Sequence, residues 1–280
     1  MTRPMVRPYA GADLPVLTGR QAAELDARAI REMGVPEASL MERAGTAAAS
    51  LVMELVPRGT ILVVAGKGNN GGDALVAARC LRAWGREVEV LLAADRPVAD
   101  PLLHGWDLRV GRTTELDDDA LAARLSGALS GAGAVVDGVL GTGITGAPRG
   151  EAARVISLLH AARTASPGQA RLVALDIPSG VDADTGEAAG PVAAADVTVS
   201  FGWPKLGTLL HPGRAYAGRL VTLEIGFPPL PADVPAARLL TPAWARAHRP
   251  VRSPVTHKNR VGAVAVVAGR PGMAGAAVLS

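Results

Sequence analysis

Residues 60–73, TILVVAGKGNNGGD, constrain the fold more than any other part of this sequence. Residues 61–65 form a continuous apolar run, which is typical of a buried parallel strand. A turn rich in glycine and asparagine follows, and a helical pattern begins at Ala74. Such a turn can offer backbone N–H groups to an anionic ligand. Its spacing is neither the dinucleotide fingerprint nor a P-loop. A phosphate-type loop is therefore favoured, while a tight structural turn stays open.

Strands and helices alternate along the rest of the chain. The predicted strands are 61–65, 87–93, 134–140, 171–176, 196–201 and 219–225. Helices are predicted near 74–84, 118–129 and 151–162. Two more helices precede the first strand, one opening with a capping box at Thr18 and Gln21 and ending near Met33, the other following Pro36. This order predicts an α/β fold, a Rossmann-like three-layer αβα sandwich with a mainly parallel sheet and two N-terminal lead-in helices.

Composition excludes several classes of function. The net charge of +3 comes from scattered arginines with only two Tyr and two Phe, so nucleic-acid binding is not predicted. No uncharged apolar stretch approaches transmembrane length, so no membrane partner is predicted. Cys80 is the single cysteine and the first residues do not resemble a signal peptide, which predicts a cytoplasmic location.

A change in composition after Phe227 predicts the domain organisation. Residues 229–254 are rich in proline and are predicted to be a linker, because proline cannot continue a sheet interior. Residues 255–280 then begin a second domain, with a strand at 261–268 and a glycine turn. Residues 1–17 are predicted to be irregular, which leaves 18–228 as the main domain. Removal of residues 231–280 is expected to leave that domain unaffected.

Three polar loops, at residues 68–73, 137–146 and 176–186, each follow a predicted strand. Because loops at the carboxyl ends of parallel strands share one edge of the sheet, ligands bind there. Four polar side chains are therefore expected near one cleft: Asn70, Asp137, Asp176 and Ser179. Oxygen donors without a His or Cys cluster suit a hard cation or no metal at all. The five histidines do not have the spacing of a zinc site.

Two further residues, Lys205 and Ser179, are considered for a role in the site. Lys205, in FGWPKLG, follows the next strand and can reach the same edge, although a solvated surface lysine is an equal alternative. Ser179 lies in I-P-S-G rather than in a nucleophile elbow, so a serine hydrolase is not predicted.

Four ordered motifs closely resemble the NAD(P)H-hydrate epimerases of the YjeF N-terminal type. They are GKGNNGGD–LVAAR, VVDGVLGTGITG, VALDIPSGVDADTG and VTVSFGWPKLG, and the earlier LMERAG at 40–45 also matches. The resemblance covers roughly residues 14–228. One departure is Ala74, where the family usually has glycine, and we expect it to be tolerated. The family interconverts the R and S forms of hydrated NADH or NADPH, which carry a hydroxyl at C6 of the nicotinamide ring.

This resemblance implies a set of site residues. The implied substrate-binding residues are Asn69, Asn70, Gly71, Gly72, Asp73, Gly141, Thr142, Gly143, Ile144, Thr145, Gly146, Ala147 and Asp176. The residues implied to supply oxygen ligands to one potassium ion (K+) are Asn70, Asp137 and Ser179. Asp176 is implied to contact the ring and to act as acid and base, and Lys205 is a second catalytic candidate. The expected partner is a small-molecule substrate, and a homo-oligomer is compatible with the sequence.

Residues 255–280 resemble the opening of the ribokinase-like, ADP/ATP-dependent NAD(P)H-hydrate dehydratase domain, through H-K-x-x-x-G and G-M-x-G-A. In many members of the family both domains share one chain, in a bifunctional Nnr-type protein. The later dehydratase motifs do not occur in these residues, so the resemblance implies no dehydratase activity. Two alternatives to a single-function epimerase stay open: the epimerase half of a bifunctional repair enzyme whose dehydratase half is missing here, and a non-catalytic protein that binds a nucleotide-like ligand.

Overall fold

The structure is a computed structural model that describes residues 14–97, 100–104, 110–131, 133–166, 170–234, 236–251, 253–257, 260 and 263–279. Its strands are β1 (Leu14–Val16), β2 (Ile61–Ala65), β3 (Val88–Leu92), β4 (Val110–Arg112), β5 (Ala134–Gly138), β6 (Arg171–Leu175), β7 (Val197–Phe201), β8 (Arg219–Leu223) and β9 (Ala237–Leu239). Its α-helices are α1 (Gly19–Met33), α2 (Glu37–Leu55), α3 (Asn69–Ala83), α4 (Asp118–Ser130), α5 (Gly150–Ala165), α6 (Gly213–Tyr216), α7 (Pro242–Ala247) and α8 (Gly275–Leu279).

Seven strands form one parallel sheet in the order β4-β3-β2-β5-β6-β7-β8. Alternate residues of β2 enter two separate cores, since side chains alternate across a strand. Val63 packs with α2 and α3 on one face of the sheet, while Val64 packs with α4 and α5 on the other. The predicted Rossmann-like αβα sandwich with its two lead-in helices is therefore confirmed.

Local signals in the sequence fix the ends of α1. The Thr18 hydroxyl accepts from the Gln21 amide at 3.1 Å, and the Gln21 side chain accepts from the Thr18 amide at 2.9 Å. Gly34 ends the helix in the left-handed region, with φ of 65°. The predicted capping box and stop are both confirmed.

Helix α3 begins earlier than the sequence pattern predicts. It starts at Asn69 rather than Ala74, so the glycine-rich segment forms its first turn. A Cβ on Gly71 would lie 2.0 Å from the carbonyl oxygen of Gly66. Glycine at this position therefore lets the helix begin close to the end of β2, after only the three residues 66–68.

Three short strands were not predicted. β4 pairs with β3 at one edge of the main sheet, and β1 pairs with β9 in an antiparallel ribbon that joins Leu14 to Leu239. The prediction that residues 1–17 are irregular is wrong for 14–16, and the predicted linker at 229–254 contains β9 and α7. Strands of three residues carry too little periodicity to recognise in a sequence, because their pairing depends on distant partners.

Residues from Leu14 to Leu239 belong to one compact unit, and the described residues from Leu240 onward belong to a second. In the second unit the described residues 263–268 form no strand, and Val264 and Val267 are almost fully exposed. The predicted strand at 261–268 is wrong there, because an apolar run forms a strand only when another strand satisfies its backbone. In the part of the chain that the structure describes, no helix is long and apolar enough to cross a membrane.

Candidate active site

A cleft of about 770 Å³ lies at the carboxyl ends of the sheet strands, as the order of the loops predicted. Residues that follow β2, β5, β6, β7 and β8 form one side of it, and α1 and α2 contribute the other. Its polar and charged lining residues are Asp26, Glu37, Lys67, Asn69, Asn70, Asp73, Thr142, Arg149, Glu151, Asp176 and Lys205.

Asp176 and Lys205 form an ion pair in this cleft. Lys205 is 3% exposed, and its ammonium contacts Asp176 Oδ1 and donates to the Phe201 carbonyl at 3.0 Å. Residues on both sides of Lys205 bind the backbone of Leu17 just before α1, which holds the lysine in place. The alternative of a solvated surface lysine is therefore wrong.

The backbone at Asp176 is unusual. Among the described non-glycine residues, only Asp176 has a positive φ, 62°. Its amide donates to the Val199 carbonyl at 2.7 Å, and its own carbonyl accepts from the Ser200 hydroxyl at 3.2 Å. Strained conformations of this kind persist only where the surroundings fix them, and they concentrate at functional sites.

Behind the cleft surface, Asp137 and Ser179 form a buried network. Asp137 is 1% exposed and accepts from the Ser179 hydroxyl at 2.6 Å, the Ser179 amide at 3.0 Å and the Val139 amide at 3.1 Å. Burial raises the pKa of Asp137 above its usual range, and the hydrogen bonds from Ser179 and Val139 offset part of that rise. These bonds tie the loop after β5 to the loop after β6.

Asn70 joins this network through the backbone of Leu140. Its Nδ2 donates to the Leu140 carbonyl at 2.8 Å, and the Leu140 amide donates to the Ser179 hydroxyl oxygen at 2.9 Å. The other end of the Asn70 amide, Oδ1, is buried and has no hydrogen-bond partner in the described part of the chain. A buried acceptor left unpaired costs about 1–3 kcal/mol. This oxygen can therefore accept a hydrogen bond from a ligand or bind a cation.

The described residues do not form the type of cluster that divalent metal ions prefer. Across the described ranges, no three His, Cys, Asp or Glu side chains are arranged to hold a metal ion. The oxygens of Asn70, Asp137 and Ser179 carry at most one negative charge between them. Such a set suits a weakly charged cation, since amide and carbonyl oxygens are typical ligands of K+.

Only part of the implied substrate-binding set lines the cleft. The lining members are Asn69, Asn70, Asp73, Gly141, Thr142, Gly143, Ile144 and Asp176. Gly72 instead packs beneath the cleft, where a Cβ would lie 2.6 Å from the Met41 side chain, and Gly71 packs against Gly66. Thr145, Gly146 and Ala147 are exposed beyond the lining residues.

Two more carboxyl groups face the Asp176–Lys205 pair. Burial raises the pKa of Asp73 well above its usual range, and the charges of Asp176 and Asp26 raise it further. Burial also raises the pKa of Asp26 to about 6; Lys205 opposes this rise, while Asp176 and Glu37 add to it. Perturbed carboxyl groups in a cleft are candidates for a functional role.

Asp26 was missed by the sequence reasoning, which treats α1 only as a lead-in helix. The sequence contains a pattern that points to Asp26, because the cleft-lining residues of α1 recur at helical spacing. They are Ala22, Ala23, Asp26, Ala27 and Ile30. An acidic residue in the middle of a small apolar stripe is the pattern that could have identified it.

The sequence also matches known proteins. Residues 37–207 match the family described as YjeF-related protein N-terminus. The chain is 45% identical over 198 residues to the NAD(P)H-hydrate epimerase of Clavibacter michiganensis, which covers 68% of this chain and 82% of that protein. It is 42% identical over 212 residues to the NAD(P)H-hydrate epimerase of Clavibacter sepedonicus, covering 72% of this chain and 87% of that protein.

Longer relatives match as well. The chain is 38% identical over 275 residues to the bifunctional NAD(P)H-hydrate repair enzyme Nnr of Moorella thermoacetica, covering 95% of this chain. It spans about half the length of that relative, 51%. The crystal structure of the yeast protein ynu0 has the same fold, with a TM-score of 0.61, 24% identity, and coverage of 81% of this chain and 100% of that one.

Proposed function

Because the chain belongs to the YjeF-related protein N-terminus family, we propose that it is an NAD(P)H-hydrate epimerase that interconverts the R and S forms of hydrated NADH and NADPH. The observation that carries this proposal is the buried Asp176–Lys205 ion pair in a cleft large enough for a small molecule. We further propose a cytoplasmic location, supported by a single cysteine in 280 residues.

The substrate's diphosphate would bind at the glycine-rich start of α3. The first turn of a helix presents unpaired N–H groups and the positive end of the helix dipole, which attract an anion. Asn69 lies in this turn, and its side chain donates to Glu37 on α2 at 3.0 Å, which holds it at the cleft. The loop from Gly141 to Ile144 lines the same end of the cleft.

The nicotinamide end would then meet Asp176. In epimerisation, the C6 hydroxyl leaves with help from the lone pair of the ring nitrogen, and water returns to the other face. A carboxylate that accepts the proton of the incoming water accelerates this step by about 100- to 10,000-fold. Lys205 balances the charge of that carboxylate and fixes its position through their ion pair. The positive φ of Asp176 is consistent with a side chain held in one orientation.

A potassium ion would be held by Asn70, Asp137 and Ser179. The unpaired Asn70 Oδ1 supports this assignment, because a cation at that place would satisfy it. Asp137 would supply the one negative charge of the site. When bound, the ion supplies a fixed positive charge and ties together the start of α3 and the loops that follow β5 and β6.

A chiral assay of hydrated NADH, corrected for spontaneous epimerisation, tests the proposed function. Purified wild-type chain should accelerate the exchange of the two forms. Asp176→Asn keeps the shape of the side chain and removes the proton acceptor, so it should fold normally and lose nearly all activity. If wild type does not exceed the spontaneous rate, the chain is a binding protein instead. If Asp176→Asn stays within a few-fold of wild type, Asp176 is not the acid/base residue.

A further inference from the structure

We propose that Asp26, on α1, is a second catalytic carboxyl group of this site. It donates a proton to the departing C6 hydroxyl, while Asp176 accepts the proton of the incoming water. This inference rests on the proposed epimerase function and assigns the acid that the reaction requires in addition to its base. With two carboxyl groups, one can donate the proton to the departing hydroxyl while the other accepts the proton of the incoming water.

Among the charged residues that line the cleft, three aspartates and Lys205 influence one another and come from four parts of the chain. Asp26 comes from α1, Asp73 from near the start of α3, Asp176 from the end of β6 and Lys205 from the segment after β7. The ammonium of Lys205 is already engaged by Asp176 and by a backbone carbonyl. Asp26 has no hydrogen bond or ion pair with any other residue that the structure describes.

The ammonium of Lys205 is paired with Asp176, and the negative charge of Asp176 raises the pKa of both Asp26 and Asp73. Like charges close together raise one another's pKa values, which favours a proton on one of the groups. A proton-holding carboxyl group beside an ionised one gives a site its acid and its base. Asp176 is the carboxyl group of this site that forms the ion pair with Lys205.

Asp26 suits the acid role better than Asp73. Burial raises the pKa of Asp26 to about 6, against the opposing charge of Lys205. For Asp73, burial and the charges of Asp176 and Asp26 hold the pKa well above its usual range, so this carboxyl group releases its proton less readily than an ordinary one. Efficient general acids have pKa values near the working pH, where the proton is both present and readily released.

A structural role does not explain the position of Asp26. It lies in the interior of α1, far from either cap, and makes no ion pair with a described residue. Its neighbours on the cleft face are small and apolar, namely Ala22, Ala23 and Ala27. The acidic residues Glu24 and Glu32 occupy exposed positions of the same helix, where water solvates their charge. A carboxyl group on the apolar face therefore costs stability that folding alone does not require.

The proposed step moves one proton on each face of the ring and one electron pair of the ring nitrogen. The proton of the Asp26 carboxyl moves to the C6 hydroxyl, the C6–O bond breaks and water departs. The lone pair of the ring nitrogen forms a double bond to C6. Water then attacks C6 from the other face, the electron pair returns to nitrogen, and the proton of that water moves to Asp176. The reverse direction uses the two carboxyl groups in exchanged roles, and exchange with solvent restores the starting protonation.

Asp26→Asn, measured in the chiral assay between pH 5 and pH 8.5, tests this inference. We expect a fall in kcat of about 100-fold, with KM little changed, and the loss of the pH dependence near pH 6. Asp26→Glu keeps a carboxyl group and should recover part of the activity with a displaced pH profile. Glu24→Gln is the matched control, since Glu24 is exposed on the same helix and does not line the cleft.

The outcomes separate this inference from the proposed function. An inactive wild-type chain refutes the epimerase proposal itself. An active wild type together with an Asp26→Asn variant of unchanged kcat and pH profile refutes only the role of Asp26. A variant that changes KM alone also refutes it, because Asp26 would then contribute to binding and not to proton transfer.

Discussion

Replacing Asp26 by asparagine should stabilise the protein at neutral pH while it lowers activity. Burial raises the pKa of Asp26 from 3.8 to about 6, so the folded state binds this proton more tightly than the unfolded state. Stability falls with rising pH wherever the folded state holds more protons. The contribution of Asp26 is therefore complete below about pH 4 and is lost as the pH rises through about 6. Asparagine does not titrate, so the Asp26→Asn variant does not lose this stability as the pH rises.

The rise in the pKa of Asp26 sets the size of the expected gain in stability. A change of one pKa unit corresponds to about 1.4 kcal/mol, so the shift from 3.8 to about 6 gives about 3 kcal/mol as an upper value. Asp26 is half-buried and opens on the cleft, where water and counter-ions screen its charge, so we expect about 1–2 kcal/mol. For a domain of this size, that corresponds to an increase in Tm of about 2–8 °C.

Thermal unfolding of wild type, Asp26→Asn and Glu24→Gln between pH 4.5 and pH 8 measures the effect without substrate. The difference in Tm between Asp26→Asn and wild type should grow from about a third of its full value at pH 4.5 to nearly the full value above pH 6.5. Glu24→Gln, at an exposed position of α1, should show no such growth. An Asp26→Asn variant less stable than wild type at pH 7.5, or a difference independent of pH, would refute the reasoning.

Two further predictions concern the ion and the edges of the compact unit. The Tm should be higher in potassium chloride than in tetramethylammonium chloride at equal ionic strength. Ion binding to the folded state should raise the free energy of unfolding by about 2.7 kcal/mol at a hundredfold excess of ion over its Kd. Asp137→Ala should abolish that difference, and equal melting of wild type in both salts would refute the metal site. Truncation after Leu239 should preserve activity and Tm. Truncation after Leu230 removes β9, the partner of β1, and should lower the Tm; equal stability of both truncations would show that this pairing contributes nothing.

The sheet and its cleft edge were predictable because they depend on local patterns. Continuous apolar runs identify strands buried on both faces, and in a parallel sheet the loops after them meet at one edge. That argument alone assigns Asn70 and Asp176 to one cleft, and both line it. It could not state that Lys205 is buried against Asp176, since burial depends on the Leu17 segment packed across it.

What the sequence did not reveal depends on contacts between distant segments. β1 and β9 are three-residue strands whose partners lie at opposite ends of the compact unit. The earlier start of α3 depends on the close approach of Gly71 to the backbone of Gly66, which glycine permits but does not specify. Similarly, the alanine-rich face around Asp26 is compatible with an ordinary packed helix until its neighbours are known.

The position of α1 explains why a Rossmann-like sheet here carries helices that the sheet itself does not need. The strand-end loops supply the ion pair, the phosphate-type turn and the Asn70–Asp137–Ser179 network, yet the cleft between them would be open to water on the side away from the sheet. α1 and α2 close that side with alanine, leucine and methionine side chains, and Leu17 fixes α1 to the segment that carries Lys205. Burial raises the pKa of Asp26 and Asp73, because charge is costly where water is excluded. The lead-in helices thus add apolar side chains and one more carboxyl group, Asp26, to a binding edge that many parallel sheets have.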